Sequence, residues 1–183
     1  ALLVVTGTPY QTYFEGAQFV HFLLGPATVA LAIPLYENWP AVKRSLVPMI
    51  AALLAGTVTA VVSAVGIAWA LGASAESLVS IAPKSVTTPV AMGIAEKLGG
   101  IPSLTAVMVI LTGITGAIIA TPLHNALGLK DWRARGFAAG VAAHGLGTAR
   151  AFQVNDLAGT FAGIGMALNA LASAILVPVL WHW

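Results

Sequence analysis

Polar residues fall in bursts along this chain. Three long stretches, 45–75, 98–129 and 157–183, contain no Asp, Glu, Lys or Arg. Each exceeds the roughly 20 residues an α-helix needs to cross a bilayer. The runs are continuously apolar, unlike the short alternating strands of a membrane β-barrel. The pattern predicts an all-α integral membrane protein, a polytopic helical bundle forming a single transmembrane domain over 1–183. Residues 1–8 read as the end of a span and 9–15 as a polar loop whose two tyrosines suit an interface. Residues 16–37 are apolar but interrupted at Gly25-Pro26. Pro40 suits an early helix position. A long helix is expected within 41–72, ended by Gly72, and another span over 101–127, stopped by Gly128. Asp131 and Asp156 are expected to cap the helices that follow them. The last span, 157–180, closes with the interfacial "WHW".

Two segments, 74–99 and 132–155, are long enough to span but broken in the middle. "KSVTTPVAMGIAEKLGGIPSLTAV" and "HGLGTARAFQVNDLAGTFAGIGMA" share a layout: a small polar cluster, a short helix, a cap, then a Gly- and Ala-rich span. A weaker third echo starts at "GPATVALAIPLY". This is an internal repeat, and matched interruptions point to a transporter's binding site. Lys43 and Arg44 mark one loop as cytoplasmic, and Lys130, Arg133 and Arg135 mark another. Both loops lie inside only if 74–99 enters and leaves on one side. The favoured topology therefore has two re-entrant hairpins, inverted relative to each other, over two full-width broken helices.

Composition agrees. The chain is 58% hydrophobic and 8% charged, against roughly 25% charged in soluble domains. Mean hydropathy is +0.92. With no cysteine, neither a disulfide nor a thiolate metal site is available. A net charge of +2 gives no case for nucleic acid as a partner. There is no charged leader of the secretory type, and "ALLVV" reads as a helix cut short, with N-terminal helices missing. Enzyme, metal and cofactor signatures are absent, so neither an enzyme nor a bound cofactor is expected.

The candidate chemistry lies in the two breaks. Pro83 and Pro89 disfavour helix at Ala82 and Thr88, which leaves Lys84, Ser85, Val86, Thr87 and Thr88 as a non-helical tip. Thr88 is expected as N-cap with Pro89 first in the helix. A helix N-terminus at that depth favours an anion. A lysine at mid-membrane costs about 2.5–3.5 kcal/mol, and neither tip contains an acid to offset it. In the second break, Gly145 and Gly147 allow close backbone approach and Thr148 is expected to cap a half-helix from Ala149. His144 can donate to a carboxylate or carry a proton, and Arg150 supplies a second cation. Asn169, alone in the last span, suits helix–helix glue or a ligand contact. The expectation is that Lys84 and Arg150 face one chamber, where a guest acid supplies the missing negative charge.

Each residue also has a plainer reading. Lys84 fits a shallow tip from which it snorkels, and Arg150 fits a positive-inside residue. His144 fits a hydrogen-bonded packing histidine. Gly136-x3-Gly140 and Gly159-x3-Gly163 read as close-packing faces. His124 and His182 read as interfacial, and His21 has no assigned role.

"FLLGPATVALAIPLY" (22–36), "PKSVTTPVAMGIAEKLGGIPSLTAV" (83–107) and "ARGFAAGVAAHGLGTARAF" (134–152) closely resemble the LrgB/CidB family over nearly the whole chain. The family's "SVTTP" matches Ser85 to Pro89 and its "HGLGTAR" matches His144 to Arg150. Against the family pattern the chain begins one or two helical segments in, which bears on oligomer contacts those segments supply. The resemblance implies two functions. Bacterial members are described as antiholin-like or holin-like partners of a small LrgA/CidA membrane protein, affecting murein hydrolase activity. Plastid relatives are glycolate/glycerate translocators, and bacterial members have been linked to pyruvate uptake. The expectation is a multi-pass carrier of small 2-hydroxy monocarboxylates in the bacterial inner membrane, with elevator-like movement of the tips. A homo-oligomer, a dimer foremost, and an LrgA-like partner are the protein associations expected within the lipid bilayer.

Overall fold

A computed structural model describes residues 36–181 and the isolated positions Thr6, Gly7, Thr12, Glu15, Gly16 and Gln18. Apart from these positions, the readings of residues 1–35, with His21 and Gly25-Pro26, and of His182 and Trp183 lie outside the described residues. Among the described residues seven helices follow in order: α1 Trp39–Arg44, α2 Leu46–Ala70, α3 Ala75–Ile81, α4 Thr88–Lys97, α5 Pro102–Ala126, α6 Trp132–Val154 and α7 Asp156–Trp181. Among the described residues, α2, α5 and α7 are long and apolar enough to cross a membrane.

Local chemistry sets most of the boundaries. Gly72 and Gly128 take φ +80° and +65° just past α2 and α5, the left-handed conformation that closes a helix without a Cβ clash. Asp131 caps α6, its carboxylate accepting from Arg133 N–H at 2.8 Å. The α7 cap is Asn155, whose Oδ1 accepts from Ala158 N–H. Asp156 is already the first helical residue, where its charge still favours the positive end of the helix dipole. Similarly, Thr87 is the N-cap of α4, so that helix starts one residue before the position its proline suggests.

The segment 75–97 is a hairpin. Ala82 on the way in and Ile94 on the way out share one cluster with Val61 of α2 and Val177 of α7. Deeper in, Ser85 at the tip meets Asn169, which is bonded to Thr57. Both arms therefore return to the end of the bundle they left. Ser80 fixes the base: its hydroxyl accepts from Ile101 N–H at 2.8 Å, and its carbonyl accepts from Thr105 Oγ1 at 2.9 Å.

The helix α6 is a second hairpin. Ala143 (φ −127°, ψ 16°) and His144 (φ 42°, ψ −132°) break it. Along the first arm Gly136 faces Ala158 and Gly140 faces Ala162, parallel to α7. Along the second arm Thr148 meets Met166 and Phe152 meets Gly159, antiparallel to α7. A Cβ on Gly147 would lie 2.6 Å from Ala139 O, a contact that seven intervening residues allow only if the chain folds back.

The hairpins enter from opposite ends. Hairpin 1 opens where α2 finishes and α5 begins. Hairpin 2 opens where α5 finishes and α7 begins. The α2–hairpin 1 and α5–hairpin 2 units are thus inverted copies. The loops bearing Lys43, Arg44, Lys130 and Arg133 lie together at one end, since Ser45, Asp131 and Arg133 line one groove. Among the described residues, Glu76, Glu96 and Lys97 mark the other.

Gly136 and Gly140 press on the Ala158 and Ala162 backbone, so that glycine pair is a packing face. Gly159 packs on Phe152, but nothing lies within 4 Å of a Cβ built at Gly163. The second pair therefore has one working member. With no native cysteine, single cysteines report the topology. Glu76→Cys and Glu96→Cys should react with an impermeant maleimide from one side, and Lys130→Cys and Asp156→Cys from the other. Labelling of Glu76→Cys and Glu96→Cys from opposite sides would show a full crossing at hairpin 1.

Candidate functional site

The two tips meet at Asn169. Its Nδ2 donates to Ser85 O at 3.1 Å in hairpin 1 and to Val141 O at 3.0 Å in hairpin 2. Its Oδ1 accepts from Thr57 Oγ1 at 2.6 Å and from Ser173 Oγ at 3.5 Å. Asn169 and Thr57 are each 1% exposed. One side-chain amide thus joins both hairpins to α2 and α7, with its donors and acceptor in use.

Lys84 occupies the open side of hairpin 1's tip. It is half-buried, and its Nζ donates to Ser85 Oγ at 3.3 Å. Among the described residues the one ion pair is Arg133 with Asp131, so no carboxylate lies against Lys84. The tip backbone turns through Lys84 N–H to Ile81 O and Val86 N–H to Pro83 O. No side chain caps α4 at Thr87.

A groove of about 520 Å³ leads from the basic end to Lys84 and Ser85. Its walls are α2, including Ala52, Gly56 and Ala60, and the first arm of hairpin 2, including Ala134, Ala138 and Ala142. Small side chains on two facing helices keep this passage open. At its mouth the Arg133 guanidinium is 2.6 Å from Asp131 and holds that carboxyl below the usual carboxylate range by a hydrogen bond.

The other predicted residues divide. Val86, 1% exposed, packs with Ala91 and Val109. Thr87 and Thr88 begin α4 and do not line the groove. His144 is buried, with Nε2 2.9 Å from Val109 O. Its ring fits because Gly113 has no Cβ, which would sit 2.6 Å from the imidazole. The break falls at Ala143–His144 and not at Thr148. Thr148 is helical, and its hydroxyl bonds back to His144 O at 2.8 Å. Gly147 accommodates the opposite arm, whereas Gly145 has only Met166 near it.

The shared chamber for Lys84 and Arg150 is not there. Arg150 lies most of the way down the second arm, where it is exposed and donates to Gln153 Oε1 at 3.2 Å. It lines a different, smaller pocket from Lys84. The cause is the earlier break: Arg150 lies six positions, about 9 Å of helix, beyond a turn at residue 144. Residues missed from sequence are Thr57, Gly113 and the small-residue faces of α2 and α6. Thr57 lies in an otherwise apolar run, but its partner is 112 positions away.

Two inverted hairpins held tip to tip between spanning helices define a helical membrane protein of the inverted-repeat kind. The chain belongs to the LrgB-like family, whose model matches residues 1–183. It is 37% identical to the Bacillus subtilis protein YwbG over 98% of this chain and 80% of that one. It is 34% identical to the holin-like protein CidB of Staphylococcus epidermidis and 31% identical to that of Staphylococcus aureus. In both comparisons 98% of this chain and 78% of the relative are covered. No solved structure matches the chain.

Replacing Asn169 by Leu orphans two buried carbonyls and the Thr57 hydroxyl, at about 1–3 kcal/mol for each group left unpaired. Thr57→Val removes one donor and should cost less. Thermal unfolding in detergent should rank Asn169→Leu below Thr57→Val and both below wild type. Equal stability of all three would mean the amide does not hold the tips.

Proposed function

We propose that this chain is a membrane carrier of small monocarboxylates, with its anion site at Lys84 and Ser85. The observation that carries the reading is an uncompensated ammonium where two inverted hairpins meet. Inverted repeats with broken helices place transporter sites near the bilayer midplane. A lysine there is costly unless a partner satisfies it, and a substrate carboxylate is such a partner. The groove gives that acid a route from the basic end. By the positive-inside rule that end faces the cytoplasm, in a multi-pass inner-membrane arrangement. The substrate class, glycolate, glycerate, lactate or pyruvate, rests on the one cation and one hydroxyl at the tip and on the family resemblance. Arg150 has no part in this site.

A second reading is favoured by the relatives' names. Two staphylococcal relatives are called holin-like protein CidB. On that reading the chain is a holin-like or antiholin-like regulator of murein hydrolase activity, acting with an LrgA-like small membrane protein or as a homo-oligomer. It requires no anion site at Lys84.

Uptake of labelled glycolate, glycerate, lactate and pyruvate into proteoliposomes separates the two. Lys84→Ala should lower uptake roughly 10- to 100-fold, the effect of losing one charge-assisted hydrogen bond. Lys97→Ala, at the far end, should leave it unchanged. Unchanged uptake in Lys84→Ala removes the site. No uptake of any acid, with leakage of a trapped dye, supports the holin-like reading.

A further inference from the structure

The mouth of the groove holds a charged pair that the tip site does not use. Among the described residues three charged side chains line the groove: Lys84 deep inside it, and Asp131 and Arg133 at its mouth. Arg133 Nε donates to Asp131 Oδ1 at 3.0 Å and to Oδ2 at 3.2 Å, and Nη2 donates to Oδ2 at 2.6 Å. The pair is open to water, with side chains 42% and 46% exposed. An ion pair so exposed gains little from its contact, and another anion can replace the carboxylate. Asp131 has a further task, because its Oδ1 also accepts from Arg133 N–H and caps α6.

Distance and charge tie the mouth to the tip. Arg133 and Val141 lie on one arm and both line the groove. Eight positions separate them, about 12 Å of helix. Val141 stands at tip level, its carbonyl sharing the Asn169 amide with Ser85 O. The walls between are apolar, and a cleft with low-dielectric walls focuses the field of the charges along it. The formal charge lining the groove is +1, from Lys84 and Arg133 against Asp131. Neutralising Asp131 makes it +2, and neutralising Arg133 makes it zero. A guanidinium also matches the planar fork of a carboxylate, so the acids suited to Lys84 are suited to Arg133 as well.

We propose that Arg133 receives the substrate anion at the groove mouth and that Asp131 competes with it. An incoming carboxylate takes the place of Asp131 on the guanidinium, then moves along the groove to Lys84, and Asp131 closes on Arg133 again. The inference rests on the carrier reading of Lys84 and adds the two residues that set affinity from the basic end. It gives the partners opposite effects: Arg133 draws the anion in and Asp131 holds it off. A pair that only braced the loop would lose the same contact whichever partner was changed.

Inverted membrane vesicles present the basic end outward on the positive-inside rule, and vesicles from cells lacking the chain supply the blank. The half-saturation concentration is read for labelled glycolate, glycerate, lactate and pyruvate. Arg133→Gln should raise it about three- to tenfold, the effect of one charge roughly 12 Å away in a partly screened groove. Asp131→Asn, which keeps an oxygen to cap α6, should lower it by a similar factor. The maximal rate should stay unchanged in both, because Lys84 and Ser85 remain in place. Shifts of the same sign in the two variants would overturn the role of the pair. So would no shift in either while Lys84→Ala still lowers uptake, and the tip site would then stand alone. No uptake by wild type, or full uptake by Lys84→Ala, would remove the carrier reading and the capture step with it.

Discussion

A bilayer core offers no water to a peptide group that leaves its helix. A chain that breaks two helices at mid-depth must therefore satisfy the freed groups from within. Asn169 does this for both breaks at once. Its amide donates to a carbonyl in each hairpin, while Thr57 and Ser173 donate to its oxygen. An amide is well suited to this place because it carries two donors and an acceptor and no charge. An aspartate would present acceptors to carbonyls that are already acceptors. A leucine would present nothing.

The rest of the arrangement depends on that junction. With the tips pinned to α2 and α7, hairpin 1 is held so that Lys84 faces the groove beside α2. The small residues of α2 and of the first arm then leave open space where larger side chains would have closed it. On the other side of hairpin 2, glycines allow approach to backbone distance. Gly136 and Gly140 seat the first arm on α7, Gly147 seats the second arm on the first, and Gly113 receives the His144 ring. Without a hydrophobic driving force between helices in lipid, such close packing supplies the cohesion that burial supplies in water.

The two cations predicted to cooperate have separate roles. Lys84 sits at a tip beside a hydroxyl and no acid. Arg150 sits near a hairpin base with Arg135 and Trp132. Arg150, bonded to Gln153, lines a different pocket from Lys84. Thr148 shows why. Its spacing from Ala149 suits a cap, but a hydroxyl within a helix can equally bond back to the carbonyl four residues before it, and here it does.

Among the described residues, the sequence by itself determined the class, the three long spans, the two interruptions and their inverted sense. Each of these follows from a local property: an apolar run, a proline or glycine, a capping carboxylate, or an excess of basic residues in a loop. Only the tertiary structure decided where hairpin 2 turns, because a left-handed histidine is costly locally and is held there by contacts with Val109 and Gly113 of α5. It alone decided that Asn169 is a joint, that Lys84 opens on a groove and that Arg150 does not. Those outcomes depend on which faces meet across a hundred residues of chain, and no spacing within a single segment encodes that.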